Sequence, residues 1–485
     1  MNSSSDSNAK GNSASSDWAD EELSGGVFAD PRHGKRLHKL LKAITFGKGG
    51  SMPWSCQDWA SIKAAYRFFS NPRVSPATIL SGHLNATRKR FEAVCGQQTV
   101  LVLHDTTEFV YKRKKMEAIG LLKTAFMGND SQGRSRLHTL CGLLMHSSLV
   151  VTRDGVPLGL AAVHFWTRKK FKGTTALKKR INSTRQPIEG KESRRWVTCL
   201  RRATRLLAKP EAIVHVGDRE SDIYELFAAA KQERTHFLFR TCVDRLTGSQ
   251  VRVSALMAEV RVKGLHRVEV QDKDGNTALA VLELRYRRLR LLPPEGKKKR
   301  YPELDLTVLH AEERGTPENR EAINWKLVTD LPIHSRQQAI EKLNWYALRW
   351  KIETFHKILK SGARAEEAKL RTAPRLVNLI AVLCILSWRI FWMTMINRAT
   401  PEADPRVALT ETELLLLQHT GKQSKALQSE TLSSLNAAIL AIAKLGGYLH
   451  RAKDPPPGNF ILWRGLARLT DIQLGFLLAK QLVGK

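Results

Sequence analysis

The stretch that decides the fold is residues 212–222, which read AIVHVGDRESD. The run Ala212–Val216 is short, apolar and rich in β-branched residues, and it ends at Gly217-Asp218. A helix is predicted over residues 221–231 and a further strand over 236–243. Because a buried strand followed by a helix and another strand is typical of an α/β domain, the sequence predicts an α/β fold.

The sequence around this stretch predicts more strands. Cys141–Val151 and Val156–Phe165 flank Asp154-Gly155, a pair typical of a hairpin turn. Further strands are predicted between about residues 242 and 332, before the next long helix. This segment is interpreted as a β-rich insertion.

Three carboxylates stand at positions suited to metal binding. Asp105 follows the apolar run Thr99–Leu103, Asp218 follows its own strand, and Glu353 lies on a long predicted helix. A strand end is a rigid platform, and oxygen ligands suit Mg²⁺. Two such ions can promote phosphoryl transfer. An aspartate after a strand is also a common turn residue, so the spacing alone leaves both interpretations open.

The long helix is predicted to begin after Ser335, a favourable N-cap, and to run without a break to about Lys360. One stripe of that helix combines an acid with an aromatic hydroxyl and several cations. Its members are Tyr346, Arg349, Glu353 and Lys360, and Lys357 borders the same face. Cations beside an acid suit phosphates beside a metal. The alternative is a solvated stripe with an Arg349–Glu353 ion pair worth only tenths of a kcal/mol.

The charge balance of the chain is strongly basic. Its 485 residues include 79 Lys and Arg against 46 Asp and Glu, a net charge of +33. The apolar share of 42% is ordinary for globular domains and excludes wholesale disorder. Such an excess of positive charge is typical of proteins that face nucleic acid, anionic membranes or acidic polysaccharides. Improved solubility is the simpler alternative.

The two ends of the chain are predicted to be mainly helical. Residues 1–16 are rich in Ser and Asn and are expected to form a flexible tail. Basic helices follow over residues 17–78, where the charge suits either DNA contact or simple solvation. Leu376–Ile396 is the one stretch that resembles a membrane span, but it contains Asn378 and Arg389. A buried core helix is therefore favoured. Six cysteines without a C-x-x-C pair predict reduced, mostly buried thiols.

The helix stripe also carries a family resemblance. The spacing Tyr346-x₂-Arg349-x₃-Glu353-x₆-Lys360 resembles the Y-R-E-K signature of insertion-sequence-four family transposases. The segment at Asp218 resembles the family's D-R-E-A-D segment, with Ser221 in place of Ala, and the segment at Asp105 resembles its D-T-T segment. Other segments resemble the family's terminal domains in the same order along the chain, namely 17–19, 30–32, 65–68, 71–72, 444–447 and 475–477.

The resemblance implies a particular domain organisation. An RNase H-like catalytic core over residues 79–397 would be interrupted by the β-rich insertion at about 242–332. An N-terminal helical DNA-binding domain over 17–78 and a C-terminal helical dimerisation domain over 398–485 would flank it.

The resemblance also implies an activity. A catalytic triad of Asp105, Asp218 and Glu353 would bind two Mg²⁺ or Mn²⁺ ions. The family reaction is cut-and-paste DNA transposition, in which transposon ends are nicked, closed into hairpins, reopened and joined to target DNA. The active species would be a homodimer that pairs two transposon ends in the bacterial cytoplasm, associated with the nucleoid and with no membrane partner.

Further DNA contacts follow from the same resemblance. Trp325 matches a tryptophan that stacks on a base flipped out of the duplex, although it could equally be ordinary sheet core. The other matches bind the flipped base, phosphates or the transposon end, and they are Arg36, Arg67, Arg240, Tyr346, Arg349 and Lys360. His33 departs from the family, which has a basic residue there.

Two other functions remain open at this stage. A catalytically silent protein could occupy transposon ends and inhibit transposition. Another RNase H-like nuclease would cleave DNA without strand transfer and without paired ends.

Overall fold

The structure is a computed structural model that describes residues 18–46, 55–56, 58–96, 98–129, 132–168, 186–271, 277–421, 432–452 and 454–483. The predicted flexible tail, residues 1–16, lies outside these ranges. Contacts divide the chain into two compact units. One comprises the residues up to 86, 361–363 and 381–485, and the other comprises 87–360 and 364–380.

The helices of the described residues are numbered in chain order. They are α1 (Trp18–Leu23), α2 (Pro31–Phe46), α3 (Trp59–Ser70), α4 (Pro76–Val94), α5 (Arg194–Leu207), α6 (Tyr224–Gln232), α7 (Val253–Ala258), α8 (Arg336–Ala347), α9 (Trp350–Lys357), α10 (Ala373–Ala399), α11 (Glu411–Gly421), α12 (Leu435–Leu445) and α13 (Asn459–Val483).

A large mixed sheet forms the centre of the unit built from residues 87–360. Its ten described strands are β1 (Val100–Tyr111), β2 (Leu121–Asn129), β3 (Ser135–Thr152), β4 (Pro157–Trp166), β5 (Ile213–Gly217), β6 (His236–Arg240), β7 (Gly264–Gln271), β8 (Thr277–Leu291), β9 (Leu304–Glu313) and β10 (Asn324–Thr329). The order across the sheet is β2-β3-β1-β5-β6-β10-β9-β8-β7, and β4 also pairs with β3. The fold is therefore mixed α/β, as the sequence predicts.

One side of the sheet is antiparallel. β3 and β4 form the predicted hairpin, and Gly155 in its turn has φ +84°, a conformation that favours glycine. The predicted end of β1 at Leu103 is wrong. β1 continues to Tyr111 because the long strand β3 pairs with it over its whole length, which places Asp105 opposite Ser147.

The centre of the sheet is parallel. β1 pairs with β5 only as far as Leu103 and Val216, and β5 pairs with β6 as far as Gly217 and Phe239. Every residue of β5 is buried, as expected for a strand covered on both faces. Asp105 and Asp218 each lie just beyond the carboxyl end of this parallel ladder, at the same edge of the sheet.

The strands of the predicted β-rich insertion extend the same sheet. β10 pairs antiparallel with β6 on one side and with β9 on the other, and β8 and β7 follow. The segment therefore adds four strands to the edge of the central sheet rather than forming a sheet of its own.

An aromatic core packs against β6. Phe237 and Phe239 on that strand stack with Phe227 of α6, with ring centroids 5.0–5.9 Å apart. Trp196 of α5 and Tyr224 of α6 complete this fully buried cluster, which fixes both helices on the sheet.

The predicted continuous helix over residues 335–360 is interrupted. Ser335 caps α8 as expected, with its side chain accepting a hydrogen bond from the Gln338 N–H. α8 ends at Ala347 and α9 begins at Trp350. The Arg349 and Ile352 amides donate to carbonyls only three residues back, so the helix tightens at this point. A π-helical turn, Ile358–Gly362, then follows α9.

The other unit is helical in its described residues. Asp58 caps the N-terminus of α3, and Asn71 ends it. α12 and α13 cross closely, since a Cβ at Gly446 or Gly465 would lie 2.1 or 1.9 Å from a carbonyl oxygen of the other helix. α10 has residues in both units. It is long and apolar enough to span a membrane, but 89% of its most apolar window is buried, in agreement with the predicted core helix.

Candidate active site

Two aspartates form the centre of the candidate site. Asp105 lies within β1, and Asp218 caps the short 3₁₀ turn Arg219–Ser221, with Oδ1 accepting from the Glu220 N–H at 3.0 Å. Burial, together with the negative charge of Asp105, raises the pKa of Asp218 to about 6. The charge of Asp105 therefore disfavours ionisation of Asp218, as expected at a site that attracts a cation.

Glu353 of α9 is the third predicted ligand. Burial raises its pKa, and the charge of Asp105 adds to this effect. Its Oε1 lies 2.8 Å from Nη1 of Arg349, so the carboxylate forms an ion pair. Burial alone lowers the pKa of Arg349, but Tyr346 and Glu353 outweigh burial and raise it overall. Glu353 thus shares an electrostatic environment with Asp105 while bonded to Arg349.

The donors of these three residues suit a hard divalent cation. All are carboxylate oxygens, which Mg²⁺ and Mn²⁺ prefer, and burial together with the charge of Asp105 raises the pKa of Asp218. Across the described ranges, however, no group of three or more His, Cys, Asp or Glu is close enough to hold a metal. The third carboxylate, Glu353, is engaged in the ion pair with Arg349.

A buried histidine contacts Asp105. His356 lies three residues after Glu353 on α9, and its Nδ1 is 3.4 Å from Asp105 Oδ2. Its Nε2 lies 2.7 Å from the hydroxyl of Ser147 on β3. The sequence reasoning missed His356, although its spacing of three from Glu353 places both on one side of a helical turn.

A layer of three fully buried histidines lies along the central strands. His104 Nε2 is 2.8 Å from His215 Nδ1, and His215 Nε2 is 3.0 Å from Oγ1 of Thr204. Because the Thr204 hydroxyl donates to the Leu200 carbonyl, it must accept from His215. His104 therefore donates to His215 and accepts from Ser148 at 3.0 Å.

Burial keeps this layer neutral. It lowers the pKa of His104 to about 3 and the pKa values of His146 and His215 well below their ordinary range. The signal in the sequence is a histidine within a largely apolar stretch of each of three strands, β1, β3 and β5. His146 also bonds Thr106, the residue after Asp105, at 2.8 Å.

Arg195 of α5 joins the segments that carry the two aspartates. Its Nε donates to the Thr106 hydroxyl at 3.1 Å, and its Nη2 forms an ion pair with Glu220. Thr106 follows Asp105, and Glu220 lies two residues after Asp218. The guanidinium therefore bridges β1 and the turn after β5.

The predicted base-stacking residue lies beside the helix stripe. The Trp325 and Tyr346 rings meet edge to face, with centroids 5.2 Å apart. Trp325 is half-buried at the exposed start of β10, and Tyr346 is buried. Arg240, at the end of β6, donates to the Asn324 carbonyl at 3.0 Å. These residues occupy adjoining positions on β6, β10 and α8.

The remaining stripe residues follow the changes in helix geometry. Lys357 is exposed at the end of α9. Lys360 lies in the π turn, with its Nζ 5.8 Å from the centre of the Phe109 ring. The straight stripe predicted for a continuous helix is therefore wrong. A tightened helical turn precedes Glu353, and Lys360 lies within the wider π-helical turn.

The predicted N-terminal DNA contacts lie in the helical unit. Arg36 on α2 is half-buried, and Arg67 in the last turn of α3 is exposed. His33 of α2 lies 3.0 Å from the side-chain amide of Asn71, and its ring packs against Phe68. His33 thus joins α2 to the end of α3.

A sequence model of the transposase DNA-binding family matches residues 15–74. The matched range includes α2 and α3 and therefore Arg36 and Arg67. The match supports a transposase that binds DNA. A protein of this class is a DNA-processing enzyme.

Proposed function

We propose that the chain is a DDE transposase of the insertion-sequence-four family, similar to the transposon-five transposase, that catalyses cut-and-paste transposition in the bacterial cytoplasm at the nucleoid. The strand order β4-β3-β1-β5-β6, antiparallel in its first two pairs and parallel in its last two, supports an RNase H-like core. The match over residues 15–74 supports the DNA-binding part.

The observation that carries the proposal is the placement of Asp105 and Asp218 just beyond the carboxyl end of the parallel ladder, where the charge of Asp105 adds to burial in raising the pKa of Asp218. With Glu353 they would hold two Mg²⁺ or Mn²⁺ ions. When bound, these ions supply positive charge that stabilises phosphoryl transfer. Glu353, which is now paired with Arg349, would supply the third carboxylate.

Arg349 would then bind a DNA phosphate. It is buried, and its Nε has no hydrogen-bond partner among the described residues. A guanidinium with unused donors suits a phosphate oxygen. The Trp325–Tyr346 pair would stack on a flipped base, while Arg240, Lys357 and Lys360 would bind neighbouring phosphates, and Arg36 and Arg67 the transposon end.

A homodimer would pair the transposon ends. The last helix, α13, exposes several apolar side chains, with Leu482 and Val483 77% and 86% exposed. Apolar residues concentrated on one exposed helix favour contact with a second copy. Sedimentation should show a dimer on DNA that carries transposon ends.

The test is DNA cleavage by a Glu353→Ala variant. A labelled transposon-end duplex is incubated with the protein and Mg²⁺, and the products are separated on a denaturing gel. The wild type should give a nick and then a hairpin. The variant should bind the duplex equally well and give neither product, whereas Glu341→Ala, on the preceding helix, should cleave normally. A Glu353→Ala variant that still cuts would overturn the triad.

One observation favours a second function, that of a silent end-binding inhibitor. Glu353 is bonded to Arg349, and the described residues contain no group of three metal-binding side chains. This alternative predicts that the wild type shifts end DNA in a gel but leaves it uncut with both Mg²⁺ and Mn²⁺. A cleavage product with either ion would exclude it.

A further inference from the structure

His356 has a position that the proposed activity does not yet use. It is 5% exposed, and it lies between Asp105 at one ring nitrogen and Ser147 at the other. We propose that His356 is a positioning residue that orients the Asp105 carboxylate for metal binding. This inference rests on the proposed function, because it assigns Asp105 to the metal site.

Two polar contacts hold the His356 ring. Its Nδ1 faces Asp105 Oδ2 at 3.4 Å, which is within ion-pair distance but longer than a typical hydrogen bond. Its Nε2 lies 2.7 Å from the Ser147 hydroxyl, within hydrogen-bond distance. Ser147 is completely buried and lies directly opposite Asp105 in the β1–β3 ladder. The serine therefore anchors the ring from the same rigid pair of strands.

This arrangement restricts Asp105 in two ways. The contact at Oδ2 fixes the rotation of the carboxylate and leaves Oδ1 for an ion. Because His356 belongs to α9, it also holds the helix that carries Glu353 against the strand that carries Asp105. Residues that orient metal ligands in this way typically change metal affinity about 10–100-fold when they are removed.

The same sheet offers a control. His236 Nδ1 lies 2.6 Å from Asp330 Oδ2, so this histidine also contacts an aspartate, at hydrogen-bond distance. It stands at the amino end of β6, whereas Asp105 and Asp218 lie at the opposite edge of the parallel ladder. Removing His236 deletes a histidine–aspartate pair without touching the candidate metal ligands.

The experiment measures Mn²⁺ binding to the full-length protein by electron paramagnetic resonance, and the Mn²⁺ dependence of end cleavage. His356→Ala should weaken Mn²⁺ binding about 10–100-fold while cleavage recovers substantially at saturating Mn²⁺. His356→Asn should restore most of the affinity, because its side-chain N–H can replace Nδ1–H. Ser147→Ala should weaken binding in the same direction by less. His236→Ala should bind as the wild type does.

The outcomes separate this inference from the proposed function. If the wild type neither binds Mn²⁺ nor cleaves, the proposed function fails. If the wild type does both, and folded His356→Ala binds Mn²⁺ within about twofold of it, the positioning role is wrong. Should His356→Ala not fold, unchanged binding in Ser147→Ala would overturn the proposal, and weakened binding there with recovery in His356→Asn would support it.

Discussion

Two fully buried regions of the sheet unit are built from opposite chemistry. Behind β6, Phe227, Phe237 and Phe239 stack with no polar atom in their side chains. Along β1 and β5, His104 and His215 are equally buried but are bonded to each other and to hydroxyl groups. The first region depends on contact area, and the second depends on the matched donors and acceptors of His104 and His215.

The difference teaches where each kind of core is useful. Contacts between packed rings have no strict direction, whereas hydrogen bonds in a buried layer fix the relative orientation of the groups that form them. The histidine layer is also the one next to the candidate site, since His104 and Asp105 are consecutive residues. We infer that the phenylalanines chiefly supply stability and that the histidines fix the strands that carry the carboxylates.

The largest effect should come from breaking the aromatic region. Phe227→Ala removes a completely buried ring that stacks on two others, and such truncations cost about 3–5 kcal/mol. Urea unfolding measures the loss. Mn²⁺ affinity of the remaining folded protein should be unchanged. Altered affinity would show that the two regions do not divide their roles.

The next effect tests the histidine layer. His104→Leu has no donor or acceptor, so it leaves Ser148 and His215 unsatisfied at a cost of about 1–3 kcal/mol. Phe237→Leu is the comparison, and it should cost less than Phe237→Ala because its volume change is smaller. Unlike Phe237→Leu, His104→Leu should also weaken Mn²⁺ binding. Equal Mn²⁺ affinities in the two leucine variants would contradict a role for the layer at the site.

A gain in stability, rather than a loss, is expected from a substitution at Asp218, which follows the strand that carries His215. The pKa of Asp218 is raised to about 6 in the folded chain, so the native state binds more protons than the unfolded state between about pH 4 and 6. The contribution of Asp218 to the free energy of unfolding of the wild type therefore decreases as the pH rises through that window. Asp218→Asn should be more stable above pH 6 by about 1–3 kcal/mol in metal-free buffer, with no difference near pH 3.5. Thermal unfolding across pH measures both, and a destabilised variant at pH 8 would refute the expectation.

The smallest effect concerns His236, which is half-exposed. Asp330 raises the pKa of the half-exposed His236, so their pair stabilises the fold below about pH 6.5, and this contribution is lost as the pH rises through the raised pKa. Solvent screening limits it to less than about 1 kcal/mol. Relative to the wild type, His236→Ala should be slightly less stable at pH 5.5 than at pH 9. A larger loss at pH 9 would exclude the ion pair as its source.

The sequence predicted the strands that lie in apolar runs. β5 and the β3–β4 hairpin follow directly from their patterns, because burial and turn chemistry are local signals. The length of β1 did not follow, since its outer half is held by pairing with β3 rather than by its own composition. The break at Arg349 was missed for a related reason, because helical spacing assumes one uninterrupted geometry.

The candidate site, like the fold, was predicted from the sequence only in part. Asp105, Asp218 and Glu353 were chosen from strand ends and a family spacing, and the structure relates all three electrostatically. The contacts of His356 with Ser147 and of Arg195 with Glu220 join residues far apart in the chain. A single sequence carries no record of such pairs, so they could be found only from the structure.

The parallel pairing of β1 with β5 has a consequence for how the protein is made. β2, β3, β4 and α5 all lie between these two strands in the chain. Contacts between distant segments form slowly, while the β3–β4 hairpin can close as soon as it leaves the ribosome. Asp105 and Asp218 therefore come together only after β5 has been synthesised and docked. Before that point the nascent chain has no adjacent pair of aspartates, although its N-terminal helices have already been synthesised.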